Sequence, residues 1–185
     1  MAINYPTSLD VFTNPGGTNL LTSPDHAQQH SDINDAVEAL EAKVAIGATV
    51  LGTYTAYTPT WAGLTVGDGT QVSTYCRVNN FVHYQGVLTF GSTTSITNSG
   101  ALLSLPITAG SNFATSTITF GTITYRDASG GFIVSGTATP SSGVLLLRAE
   151  NATSTYSQPQ FINSTVPFTW AVSDQILWNL YYQAA

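Results

Sequence analysis

Two patterns of apolar residues divide the chain. Between Ser23 and Gly47 the rhythm is helical: Ile33, Val37, Leu40 and Val44 follow at spacings of four, three and four. Extended backwards, the same rhythm takes in His30 and His26. His30, Val37 and Val44 then share one core position of a heptad seam, and Ile33 and Leu40 share the other. Ala36, Ala39, Ala42, Glu38 and Glu41 favour helix, Ser23-Pro24-Asp25 suits its start and Gly47 its end. The spacing predicts a helix over 24–46, roughly 35 Å long at about 1.5 Å per residue. So narrow a stripe on an acidic helix is marginal alone in water. It needs cover, either from the chain's own β-domain or from the same helix in neighbouring copies, as a short parallel coiled coil. Val with Leu leans towards dimers and Ile towards higher states, so the heptads leave the number of copies open.

Beyond Gly52 the period changes to two. Tyr57 to Val66 alternates around Trp61 and Leu64, and Gly67-Asp68-Gly69 turns the chain. Thr70 to Val78 and Phe81 to Phe90 flank Asn79-Asn80, a favourable hairpin turn. Further strands are expected at Ala101–Leu105, Thr115–Tyr125, Phe132–Thr139, Val144–Ala149, Gln160–Thr169 and Ile176–Gln183. Breakers separate them at Arg126–Gly131, at Pro140–Gly143 and around Ser173-Asp174. About eight or nine short strands without a repeat period predict a mainly β fold, a β-sandwich of the jelly-roll kind. Ahead of the helix, Pro6, Pro15 and Gly16-Gly17 discourage any regular element. Tyr5, Leu9, Val11, Phe12, Leu20 and Leu21 can dock on a partner as an extended arm, or the segment is a loosely ordered terminus. The organisation predicted is an arm over 1–22, a coiled-coil helix over 23–47 and a β-sandwich head over 48–185.

Charge sharpens this division. Only 8% of the 185 residues are charged, against about 25% in an average protein, and the net charge is −6. Six acids and Lys43 fall in the first fifty residues, and the rest holds Asp68, Asp127, Glu150 and Asp174 against Arg77, Arg126 and Arg148. Four bases in all cannot build a patch for nucleic acid. The longest aliphatic run, Val144 to Leu147, is far too short to span a bilayer, and Met1 to Asp10 lacks the basic-then-apolar form of a secretory signal. Cys76, the one cysteine, excludes an internal disulfide and reads as a small buried residue.

Catalytic patterns are missing from the sequence. It has no serine elbow, no zinc-protease histidine pair and no phosphate-cradling glycine loop. His83 in an alternating strand is expected to line a sheet face, and the four later acids to be solvated loop residues. A pair of carboxylates about 5–10 Å apart would be needed to cut a glycan. His26 and His30 can share a helix face and ring an oligomer axis around a metal or anion, but a partly solvated seam is the simpler reading. No cofactor and no metal site are predicted. Trp61, Trp170, Trp178, Tyr181 and Tyr182 can stack on sugar rings, or serve as core.

The run Tyr5-Pro6-Thr7-Ser8-Leu9-Asp10, Phe12-Thr13-Asn14-Pro15, Ser23-Pro24-Asp25-His26-Ala27-Gln28-Gln29-His30 and Asp32 to Lys43 resembles the N-terminal module of tailed-bacteriophage virion structural proteins. Tyr57-Thr58-Pro59-Thr60-Trp61, Leu88 to Thr94 and Pro167-Phe168-Thr169-Trp170-Ala171 are similar to the β-domain that often follows. The resemblance implies a virion location and a homotrimer: an arm anchored to other virion proteins, a short three-helix coil and a distal β-head. The helix passes almost directly into the head, which suits a stubby fibre, a spike or a capsid decoration. Adhesion to host-surface glycans is the activity such a head would carry. A lectin-like receptor-binding module and a glycan-depolymerising enzyme are the alternatives.

Overall fold

The computed structural model describes residues 26–44, 52–97, 100–111, 120–141, 143–151 and 158–185. The chain divides into two units, Met1–Thr53 and Tyr54–Ala185. The predicted arm over 1–22, with Tyr5, Leu9, Val11, Phe12 and Leu20, lies outside the described residues, as do both ends of the predicted helix.

In the first unit the heptad segment forms α1, His26–Val44, 19 residues long. Its alanines and glutamates lose little on becoming helical. Gln28 donates from Nε2 to Asp32 Oδ1 at 2.8 Å, one helical turn on.

The second unit is built of twelve described strands, all paired antiparallel. They are β1 (Thr55–Ala56), β2 (Trp61–Ala62), β3 (Leu64–Thr65), β4 (Thr70–Val78), β5 (Phe81–Thr89) and β6 (Ser95–Ile96), followed by β7 (Leu102–Ser104), β8 (Gly121–Arg126), β9 (Ile133–Ser141), β10 (Val144–Asn151), β11 (Gln158–Phe161) and β12 (Gln175–Gln183). Ten of them make one sheet in the order β1-β4-β5-β12-β8-β9-β10-β7-β2, with β11 beside β10, and β3 pairs with β6 apart from it. The C-terminal strand therefore lies in the middle, between β5 and β8.

The sheet curls over its own apolar face. Trp61 on the last strand meets Trp178 on the central one with ring centroids 5.8 Å apart, and Trp61 Nε1 donates to Gln71 Oε1 at 2.9 Å. Alternation sends Val82, Tyr84 and Leu88 of β5, Ile176, Trp178 and Leu180 of β12, and Leu145 and Leu147 of β10 into the core. Gly86 keeps the register tight, since a Cβ there would stand 2.3 Å from Trp178 Cζ2 and 2.4 Å from Ser73 Cβ.

Several expectations need correction. The single strand expected over Tyr57–Val66 is two short pieces, β2 and β3, because Gly63 between them takes φ 73° and lies so close to the Gly100 carbonyl that a side chain cannot enter. The strand expected over Gln160–Thr169 stops at Phe161, and Asn163 and Val166 pair across a tight turn. There the Asn163 side chain accepts from the Thr165 N–H at 2.9 Å, offering the backbone a local alternative to the ladder. Conversely β9 runs through Pro140, which lies opposite Leu145 of β10.

Candidate interaction surfaces

The helical seam forms the first surface. Ile33, Val37 and Leu40 are 48%, 48% and 50% exposed, and His30 is exposed at the head of the same stripe. Val44 completes the helix, but its side chain lies outside the described residues. His26 and His30 come together edge to face, with Nε2 atoms 3.1 Å apart and ring centroids 4.4 Å apart. Among the described residues no group of three or more His, Cys, Asp and Glu is placed to hold a metal ion. No described helix is long and apolar enough to cross a membrane.

The later acids are engaged individually. Asp68 accepts from Ser92 Oγ at 2.6 Å, from the Thr93 N–H at 2.7 Å and from Thr93 Oγ1 at 2.8 Å. These bonds, the Ser92 hydroxyl first, hold its carboxyl well below the usual range. Asp127 accepts from the Gly130 N–H and the Ser129 hydroxyl, which lower it likewise. Asp174 corrects the expectation of a solvated loop acid. It is fully buried and accepts from the Ala128 N–H at 2.9 Å and the Ala171 N–H at 2.6 Å, so it fastens two loops together.

Of the five aromatics considered for sugar stacking, four are taken up by packing. Trp178 is 2% exposed and Tyr182 is buried against Phe120 at 5.1 Å. Trp170 stacks on Phe90 at 4.5 Å, and Trp61 covers Trp178. Only Tyr181 projects outwards, 47% exposed. It stacks on His83 at 4.5 Å and 8° and lies beside Phe81 at 5.9 Å, so three rings form a row on the outer face of β5 and β12. His83 thus lines a sheet face, as its alternation predicts, opposite Cys76 in register. Cys76 is free and buried.

His83 also organises its neighbours. Tyr54 Oη lies 2.5 Å from Nδ1, and Asn179 Oδ1 lies 2.7 Å from Nε2. The tautomer that satisfies both carries its proton on Nε2 and donates it to Asn179, while the Tyr54 hydroxyl donates to Nδ1. The Asn179 NH2 then remains a donor.

Beside the aromatic row an open depression of about 520 Å³ crosses four strands. Its central line is one cross-strand row, Thr74 on β4, Gln85 on β5, Asn179 on β12 and Thr122 on β8. Val72, Val87 and Leu177 form the opposite bank. Sequence reasoning missed this polar row because its members are scattered over a hundred residues. Alternation signals that each faces outwards, yet nothing local signals that β12 joins β5 to β8.

The chain matches no protein-family model, no curated protein and no solved structure.

Proposed function

We propose that the chain is a structural component of a tailed-bacteriophage virion. It is a homotrimeric short fibre, spike or decoration, held to other virion proteins by residues 1–22 and carrying its β-unit, read as a jelly-roll-like sandwich, as an outward head. The observation that supports the reading best is the half-exposed stripe of Ile33, Val37 and Leu40 on a 19-residue helix. A lone helix of that length is poorly stable in water, and sister helices supply the missing cover. The low charge of the head suits the same reading, since Thr and Ser on outward positions keep a crowded array soluble without mutual repulsion.

Purified virions and the isolated chain test it together. The intact chain is expected in the particles and, alone, at three times 19.5 kDa by sedimentation. A chain lacking residues 1–22 should keep that mass and fail to enter particles. Incorporation of the truncated chain overturns the anchoring role, and a 19.5 kDa species overturns the trimer.

A further inference from the structure

We propose that the outer face of β4, β5, β12 and β8 is a binding trough for a neutral oligosaccharide. The argument begins with what the trough lacks. None of its lining residues is charged, so it offers nothing to an anionic or cationic ligand and imposes no desolvation of its own ions. What it offers is a line of hydroxyl and amide groups across the sheet. The side chains of Thr74, Gln85 and Thr122 form no hydrogen bond among the described residues, so their donors and acceptors face the trough. Asn179 is different in kind: His83 occupies its Oδ1, so its NH2 is presented as a fixed donor. Paired donors and acceptors at fixed spacing match the hydroxyls of a sugar, each of which both donates and accepts.

The apolar half of the chemistry stands alongside. His83 and Tyr181 lie one same-face step from the polar line, about 7 Å along the strands, and Phe81 lies one step further. Tyr181 and Phe81 are each about half exposed, and their ordering is already achieved by stacking within the protein. A pyranose ring has an apolar C–H face and a hydroxylated rim, and this surface presents a wall for the first and a row of partners for the second. At about 520 Å³ the depression falls within the roughly 300–1,000 Å³ range of ligand sites. Running across four strands, it suits a chain of sugars better than a single enclosed ring.

The trough does not depend on the helix, which belongs to the other unit, so the inference stands or falls apart from the trimer. The test is nuclear magnetic resonance of the side-chain amides of Gln85 and Asn179 in the full chain. The probes are neutral hexasaccharides of glucose, mannose, galactose and N-acetylglucosamine, each at millimolar concentration. At least one should shift both amides saturably. Tyr181→Ala should weaken that binding about tenfold and Gln85→Ala about fivefold, while thermal unfolding of the exposed Gln85 variant stays at the wild-type temperature. Leu40→Asp, which disrupts only the seam, should bind as the intact chain does. Four silent probes overturn the assignment. So does tighter binding of a sulfated hexasaccharide than of its neutral parent, or wild-type affinity in both trough variants. Amide shifts that follow protein concentration without sugar would place a second copy in the trough, which also overturns it.

Discussion

Leu40→Asp tests the helical seam most directly. Full burial of a Val, Leu or Ile side chain is worth about 1.5–3 kcal/mol, so covering the exposed half of each contributes about 1 kcal/mol. Ile33, Val37 and Leu40 then supply about 3 kcal/mol per helix and about 10 kcal/mol in a three-helix coil. Each of the two associations that build the proposed trimer costs an estimated 4–15 kcal/mol, so a gain of about 10 kcal/mol leaves it marginal and sensitive to any one of these residues. Replacing Leu40 in three copies removes about 3 kcal/mol, roughly two orders of magnitude in the assembly constant. Three carboxylates on a shared apolar axis add a desolvation penalty of several kcal/mol per ion unless they take up protons. Sedimentation velocity across a concentration series should show the variant as single chains where the parent is trimeric. Ser31→Asp puts the same charge on the exposed side of the helix away from the seam and should leave assembly unchanged. If Leu40→Asp sediments with the parent's mass throughout, the stripe is not what joins the copies, and the reasoning from its exposure is refuted.

Three further outcomes follow from the β-unit. Gly86→Ala would drive a Cβ to within 2.3 Å of Trp178 Cζ2, and overpacking of this kind costs about 1–3 kcal/mol. Calorimetry should show a melting temperature lower by several degrees, and an unchanged value would contradict the close packing of β5 on Trp178. Asp174→Ala leaves the Ala128 and Ala171 N–H groups without their acceptor in a buried site, at about 1–3 kcal/mol each. The urea midpoint should fall with an unchanged slope, whereas an unmoved midpoint would deny the carboxylate its fastening role. The lowered Asp68 carboxyl makes a contribution that is complete above its unfolded pKa, near about 4, and is lost as pH falls through the lower folded value. The melting gap between the parent and Asp68→Asn should therefore be flat from neutral pH to about 5 and narrow below about 4, and a gap that widens in acid would reverse the sign of the argument.

The β4–β5 hairpin was legible almost residue for residue, because uninterrupted alternation meets a two-residue turn at Asn79-Asn80, where Asn79 takes φ 55°. The helix was legible for the same reason, a single period sustained over several turns. Legibility failed where a tertiary contact overrode the local pattern. Gly63 breaks an alternating run because Gly100, far away in sequence, crowds it. Asp174 sits in a polar turn by sequence but is sealed by loops from 128 and 171, a closure no local composition announces. Tyr181 and Trp178 are near neighbours of similar type, and the core claims one while solvent keeps the other. Their alternation separates them, but which side is the core depends on the curl of the whole sheet.

That curl has an evolutionary consequence. On β12 the consecutive residues Trp178 and Asn179 point to opposite sides of a sheet one backbone thick. Substitutions at Thr74, Gln85, Thr122 and Asn179 change the outer face, while those at Tyr84, Ile123 and Trp178 change the core that holds the sheet together. The two kinds of change are interleaved in the gene yet nearly independent in their effects. Such a surface can change its chemistry while its scaffold stands still.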